Sequence, residues 1–284
     1  MKKVFCAVWL LMLSAAVFAQ AQTPRSNWAT FEKNKIHYYD LGNRKSKNAL
    51  LFIHGWSGNT DIWNKSYSAF PAHRVIVIDL VGHGRSDKPK VAYTMDYFAR
   101  SVEAVMKKAK VQKAVLVGHS MGTPVARQFY RLYPDKTLGI VIVDGGLRAY
   151  GTKAEMEQFY APLRSNYKAT SMQFIDGMLM TVKDEALKQQ VRSSVLATPD
   201  HVGLSAMEAF NDDKLWATDQ IKVPVLAIMA ESPYWKPDTK DFYQTIAPIL
   251  DYHMWTGVSH FLMMEKPLEF NELVAAFIVK NKLL

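Results

Sequence analysis

One serine stands where a reactive nucleophile could be held. Ser120 lies in the segment VGHSMG (117–122), between two glycines and directly after a run of apolar and β-branched residues. Gly-x-Ser-x-Gly in this setting is typical of a sharp strand-to-helix turn that presents the hydroxyl above a sheet, at the positive end of the helix. Gly118 and Gly122 fit such a turn because side chains there would clash as the strand and the helix approach each other. The segment therefore predicts Ser120 as the nucleophile of an acyl-transfer reaction.

A serine hydroxyl is a poor nucleophile without a base, and the chain has eight histidines. His260, in TGVSHFLMMEKP (256–267), follows the last predicted strand and precedes the last predicted helix. It is therefore expected in a loop at the same sheet edge as Ser120, and we predict it to be the general base. His119 and His54 are expected to make structural contacts instead.

Short apolar runs recur along the chain and are typical of buried parallel strands. They lie at residues 36–41, 48–53, 74–80, 113–117, 138–143, 223–229 and 250–255. Segments with helical spacing separate several of them, at residues 93–110, 121–133 and 267–279, and Thr94 is a candidate N-cap for the first. The alternation predicts an α/β fold with a mostly parallel, doubly wound sheet and helices on both faces.

The alternation stops between residues 147 and 218. This region has helical stretches at 153–165, 172–180 and 184–197 and no strand pattern. We interpret it as a helical cap inserted at the carboxyl edge of the sheet, where ligands bind in open α/β folds. The predicted organisation is a core of residues 22–146 and 219–284 with a cap of residues 147–218.

Four blocks of sequence resemble the α/β-hydrolase superfamily, in the same order along the chain. They are HGW (54–56), DLVGHGRSD (79–87), GHSMG (118–122), and GVSH (257–260) followed by Glu265-x-Pro267. The resemblance runs from about residue 36 to the C-terminus and implies the α/β-hydrolase fold with a helical cap. Dehalogenases and epoxide hydrolases of this superfamily carry Asp where this chain has Ser120, so the resemblance implies a serine hydrolase.

The resemblance also implies an oxyanion hole. The loop after the first block faces the nucleophile with a backbone N–H, a role that carries over to Trp56. With the backbone N–H of Met121, it would stabilise the negative charge that develops in the tetrahedral state. The second block is a structural turn in the superfamily, so Asp79, His83 and Asp87 are assigned no chemistry.

The acid that orients the base is where this sequence departs from the superfamily. Members usually carry an Asp in the loop after the second-last strand, and the corresponding position here is Pro233. Some members place the acid after the preceding strand, where this chain has Asp144. An acid there would hold His260 in the productive tautomer and stabilise its imidazolium. We take Asp144 as the acid, with Asp238 and Glu231 as alternatives.

The first 21 residues have the composition of a secretory signal peptide. Two lysines precede the largely apolar residues 4–18, and Ala19-Gln20-Ala21 is a small-x-small cleavage pattern. We expect cleavage after Ala19 or Ala21 and export to the periplasm or the medium, with no membrane span left in the mature chain. Cleavage removes Cys6, the single cysteine, and with it any disulfide, Cys nucleophile or Cys-ligated metal.

Composition and charge limit the classes of partner and cofactor that the sequence indicates. The formal net charge is +9, but the basic residues are spread along the chain in nothing longer than pairs, which does not indicate a nucleic-acid surface. No His, Asp or Glu cluster has metal-ligand spacing and no G-x-G-x-x-G follows a strand, so neither a metal nor an organic cofactor is expected. The expected partner is a small molecule, and the oligomeric state is not indicated.

The predicted activity is hydrolysis of carboxylic esters with an apolar portion, through an acyl-enzyme on Ser120. Lactone, amide or carbon–carbon bond hydrolysis and cofactor-free perhydrolysis at the same site are alternatives, and a non-catalytic ligand-binding protein on this fold is another. Methionine and aromatic residues of the cap line a pocket or pack the cap on its core. They are Met156, Phe159, Tyr160, Tyr167, Met172, Phe174, Met178 and Met180.

Overall fold

The computed structural model describes residues 24–284, which contain an eight-stranded sheet. Its strands are β1 (Ser26–Phe31), β2 (Asn34–Gly42), β3 (Asn48–Ile53), β4 (Arg74–Ile78), β5 (Lys113–His119), β6 (Thr137–Val143), β7 (Val225–Ala230) and β8 (Leu250–Trp255). The spatial order is β1-β2-β4-β3-β5-β6-β7-β8. Strands β3 to β8 are parallel, which confirms the predicted mostly parallel sheet. The predicted signal peptide lies outside the described residues.

Strand β1 was missed by the sequence analysis. Among the described strands it pairs with β2 alone, in an antiparallel hairpin at one edge of the sheet, and Trp28 on it is exposed. A strand that is buried on one side alternates polar and apolar residues, and SNWATF has no continuous apolar run. The central strands β4 and β7 are buried at every residue, so the expected continuous run is present there.

Five helices flank the sheet. They are α1 (Met95–Ala109), α2 (Gly122–Leu132), α7 (Thr239–Ile246), α8 (Leu262–Glu265) and α9 (Pro267–Lys280). Thr94 caps α1 as predicted, because its side chain accepts a hydrogen bond from the backbone N–H of Tyr97. Within residues 24–284, no helix has both the length and the apolarity that crossing a bilayer requires.

Four further helices lie between β6 and β7. They are α3 (Lys153–Ser165), α4 (Tyr167–Met178), α5 (Glu185–Ala197) and α6 (Asp200–Glu208). Members of this group pack on one another, since α3 contacts α4 and α6, and α4 contacts α5 and α6. We refer to residues 147–218 as the cap.

A buried arginine joins the two ends of the cap. Arg127 of α2 is 2% exposed, and its guanidinium donates to the carbonyl of Leu147 at 2.9 Å and to the carbonyl of Ala217. Burial lowers the pKa of Arg127 to about 10, so the guanidinium keeps its charge at neutral pH. Asp219 lies one residue past the cap, and its carboxylate accepts a hydrogen bond from the guanidinium of Arg131, which lies one turn further along α2. The helix that follows Ser120 therefore fixes the position of the cap.

Replacing this buried guanidinium should destabilise the protein strongly. Arg127→Met removes the guanidinium donor from the carbonyls of Leu147 and Asp219 and leaves the carbonyl of Ala217 with Arg131 alone, and we expect the free energy of unfolding to fall by about 3 kcal/mol. The matched variant Arg100→Met removes a partly exposed guanidinium that bonds Asp96, and its cost should stay below about 1 kcal/mol. Urea titrations of both variants measure the difference. Equal losses would contradict the assigned role of Arg127.

Candidate active site

Ser120 occupies a strained turn between β5 and α2. Its backbone has a φ of +51°, and its N–H donates to the carbonyl of Val143 at 2.9 Å. A Cβ on Gly118 would collide with the backbone of Gly122, and a Cβ on Gly122 would collide with the carbonyl of Ile53. Both glycines therefore have the steric role that the sequence pattern indicated, and the turn is held in a conformation that exposes the Ser120 side chain at the end of the sheet.

His260 and Asp144 are hydrogen-bonded to each other. His260 follows β8 and Asp144 follows β6, and Nδ1 of the imidazole donates to Oδ2 of the carboxylate at 2.6 Å. The Asp144 side chain is 4% exposed and the His260 side chain 16%. The other carboxylate oxygen of Asp144, Oδ1, accepts from the backbone N–H of Ala230 at 2.9 Å and from the indole N–H of Trp235 at 3.1 Å. The carboxylate is thus buried and bonded through both oxygens.

His119 connects the turn at Ser120 to the loop that carries His260. Its Nε2 lies 2.9 Å from the carbonyl oxygen of His260 and donates to it, and the two imidazole rings are 4.6 Å apart. Gly55, after β3, packs so closely on this turn that a Cβ there would meet the side chains of Ser120 and His119. His119 therefore makes the structural contact predicted for it, and it ties His260 to the residue next to Ser120.

Two backbone N–H groups near Ser120 have no acceptor among residues 24–284. They belong to Trp56, in the loop after β3, and to Met121, which caps α2. The Trp56 side chain is fixed separately: its indole N–H donates to the carbonyl of Gly203 in the cap at 2.7 Å, and its ring contacts Phe174. Both N–H groups are free to bind an anionic oxygen.

The two alternative acids lie elsewhere. Asp238 is exposed and accepts a hydrogen bond from Arg148 at 3.0 Å, which lowers the pKa of its carboxyl. Glu231 is exposed and follows directly after β7. Within the described part of the chain, His260 bonds Asp144 and neither of these two carboxylates. The loop after β7 instead contributes Trp235, whose indole N–H donates to Asp144.

The block DLVGHGRSD forms a structural turn, as predicted. The buried Asp79 accepts from the backbone N–H of Thr60 and of Arg85, and from Nδ1 of His37 at 2.7 Å. Asp87 accepts from the backbone N–H of Lys35. The sequence analysis missed His37, because its partner Asp79 lies 42 residues further along the chain, directly after β4.

Three histidines are buried near the carboxyl ends of the central strands. His54, His83 and His119 are each at most 2% exposed. Burial lowers the pKa of His54, lowers that of His83 to about 3, and lowers that of His119 well below its usual value. All three imidazoles are neutral at pH 7 and hold their loops as neutral donors and acceptors.

The neutral state of His83 predicts acid sensitivity of the fold. The unfolded imidazole takes up a proton below about pH 6.5 whereas the folded one does so only near pH 3, so stability decreases as the pH falls through this window. From pH 6.5 to pH 5, His83 alone should cost about 2 kcal/mol. Urea titrations at both pH values should show that His83→Asn, which keeps a donor for the Val81 carbonyl, loses about that much less than the wild type. An identical loss in the two proteins would show that His83 protonates normally.

The aromatic and methionine residues of the cap mostly pack its interior. Tyr160 and Tyr167 are buried, while Met180 is 81% exposed. Phe174 contacts both Trp56 and Phe159, with ring centroids 5.8 Å and 4.8 Å apart. An apolar path of aromatic rings therefore leads from the loop after β3 into the cap. Over residues 24–284, no three His, Cys, Asp or Glu side chains are grouped to hold a metal ion.

A family model described as "alpha/beta hydrolase fold" matches residues 48–176. This range includes Ser120 and Asp144 and ends before His260. An uncharacterised protein of Mycobacterium tuberculosis is 33% identical over 121 residues, which cover 41% of this chain and 35% of that protein. The chain therefore matches about a third of the length of this relative.

Two similarities extend over most of the chain. A 2-hydroxy-6-oxononadienedioate/2-hydroxy-6-oxononatrienedioate hydrolase of Paraburkholderia phymatum is 26% identical, with 86% of this chain and 91% of that protein covered. A solved structure described as that of an N-acyl homoserine lactone degrading enzyme is also 26% identical. It covers 88% of this chain and 100% of its own, with a TM-score of 0.75.

Proposed function

Because the chain belongs to the α/β-hydrolase superfamily, we propose that it is a serine hydrolase that cleaves small carboxylic esters with an apolar portion. The observation that carries the proposal is the 2.6 Å hydrogen bond between buried Asp144 and His260, next to a serine held at positive φ. A buried carboxylate orients the imidazole and stabilises its protonated form, which is the function of the acid in an acyl-transfer site.

In the proposed mechanism, the second ring nitrogen of His260 takes the proton of Ser120 Oγ as the oxygen attacks the ester carbonyl. The oxyanion accepts hydrogen bonds from the N–H groups of Trp56 and Met121, which have no other acceptor among the described residues. Collapse of the tetrahedral species expels the alcohol, which receives the proton from His260. Water then attacks the acyl-enzyme with His260 as base, and the carboxylic acid leaves Ser120.

A fluorophosphonate probe should label Ser120 in the folded protein, and Ser120→Ala should abolish both the labelling and the ester turnover.

Asp144→Asn should lower kcat by about 10³- to 10⁴-fold, because the amide favours the wrong tautomer of His260. Glu231→Gln is the matched control: it removes the exposed carboxylate one residue beyond Ala230 and should leave kcat within about twofold. Mass spectrometry of the labelled peptide and steady-state kinetics provide the measurements.

Failure of the folded wild type to react with the probe would exclude the hydrolase proposal and favour the ligand-binding alternative. Near-normal turnover by Asp144→Asn would refute only the assignment of the acid. A large loss in Glu231→Gln would transfer that assignment to Glu231.

Lactone hydrolysis and carbon–carbon bond hydrolysis are the alternatives that specific similarities favour, through the lactone-degrading enzyme and the Paraburkholderia hydrolase. We expect p-nitrophenyl esters to be turned over faster than lactones, amides or vinylogous diketones in side-by-side assays, and peracid formation to be slower still. The aromatic path into the cap predicts that kcat/KM rises with acyl length, by up to about fourfold per methylene. Higher kcat/KM on lactones, or no dependence on chain length, would contradict this substrate class.

A further inference from the structure

The carboxylate of Asp144 has a side-chain partner besides His260. Its Oδ2 bonds the imidazole, while Oδ1 accepts from the Ala230 N–H at 2.9 Å and from the Trp235 indole at 3.1 Å. Ala230 is the last residue of β7, and Trp235 lies in the loop that follows it. The loop in which the superfamily usually places its acid therefore supplies a donor to an acid on the neighbouring strand.

Two donors on one oxygen determine how the carboxylate is turned. The side-chain torsion of an aspartate is soft at its sp³–sp² bond, so a carboxylate held at one oxygen alone can rotate away from its partner. The Ala230 N–H holds Oδ1 from one direction, and the Trp235 N–H holds the same oxygen from a second direction. Together they keep Oδ2 aligned with Nδ1 of His260. They also stabilise the ionised carboxylate, which must stay ionised while the imidazole becomes positive.

The position of Trp235 is itself fixed. Its ring lies 6.0 Å from that of Tyr150, whose hydroxyl accepts from the backbone N–H of Gly146, two residues beyond Asp144. Arg148, close to Tyr150, bonds Asp238 at the far end of the same loop. The segment after Asp144 and the loop that carries Trp235 therefore contact each other at the indole and at the far end of the loop.

We propose that Trp235 is a positioning residue for the reaction: its indole N–H holds Asp144 in the orientation that His260 requires. The inference rests on the proposed serine hydrolase function. Within residues 24–284, the indole N–H of Trp235 donates to Asp144 and makes no hydrogen bond to Ser120 or to the predicted oxyanion donors, so this donor acts on the reaction through Asp144.

Trp235→Phe is the variant that tests the role, because it keeps an aromatic ring against Tyr150 while it removes the N–H donor; the loss of ring volume is the same in the control. Trp216→Phe is the matched control. Trp216 is also half-buried, its ring lies 5.9 Å from that of Tyr150, and its N–H donates to the carbonyl of Phe210 instead of to Asp144. Both substitutions thus remove one indole donor from the same aromatic cluster.

We expect Trp235→Phe to lower kcat on a p-nitrophenyl ester by about tenfold with KM within twofold, since one of two donors on Oδ1 remains. Trp216→Phe should change neither constant by more than twofold. In proton NMR, the low-field resonance of the His260 Nδ1 proton should broaden or shift in Trp235→Phe and stay in place in Trp216→Phe. An unchanged kcat together with an unchanged resonance in Trp235→Phe would overturn the proposal, as would equal changes in the two variants.

The resonance separates this inference from the proposed function. It is measured on the resting protein and needs no turnover. If the wild type neither hydrolyses the ester nor reacts with the fluorophosphonate, the hydrolase proposal fails, and the Nδ1 resonance of the two Trp variants still decides whether Trp235 positions Asp144.

Discussion

The site depends on how closely three backbone segments approach one another at Ser120. The end of β5, the first turn of α2 and the loop after β3 are so close that Gly55, Gly118 and Gly122 have no room for a Cβ. This crowding maintains the positive φ of Ser120, a conformation that is unfavourable for a residue with a side chain. The same approach brings the unpaired N–H groups of Trp56 and Met121 to the serine. The proposed nucleophile and the proposed oxyanion donors therefore share one steric cause.

The other half of the site follows from the order of the parallel strands. Ser120, Asp144 and His260 follow β5, β6 and β8, and parallel strands bring their carboxyl ends to one edge. Because the proposed acid, Asp144, lies after β6, the loop after β7 does not carry it and contributes Trp235 as a donor to its carboxylate. Asp238 in that loop pairs with Arg148 at the surface. This chain thus departs from the superfamily's pattern in the position of the carboxylate, which follows β6, while the loop after β7 still contacts that carboxylate.

The elements that the sequence predicted well are those buried on both faces. β3 has the predicted bounds, and the fully buried β4 and β7 differ by a few residues at their ends. The edge strand β8 is the exception, since its bounds were predicted although none of its residues is fully buried. The edge strand β1 and the short helix α7 were missed, because half-exposed elements lack a continuous apolar run or a long helical period. Arg127 was missed as well: its carbonyl partners at Leu147 and Ala217 are assembled only by the folded cap.

Residue type and local spacing by themselves determined the sheet class, the turn at Ser120 and the choice of His260. Each depends on neighbours a few residues away, which a single sequence displays directly. Only the tertiary structure shows which of Asp144, Asp238 and Glu231 bonds His260, because the answer depends on which carboxylate reaches the imidazole across 116 residues of chain. It also revealed the hydrogen bond from Trp235 to Asp144, since an indole N–H has no sequence signature until a buried acceptor lies opposite it.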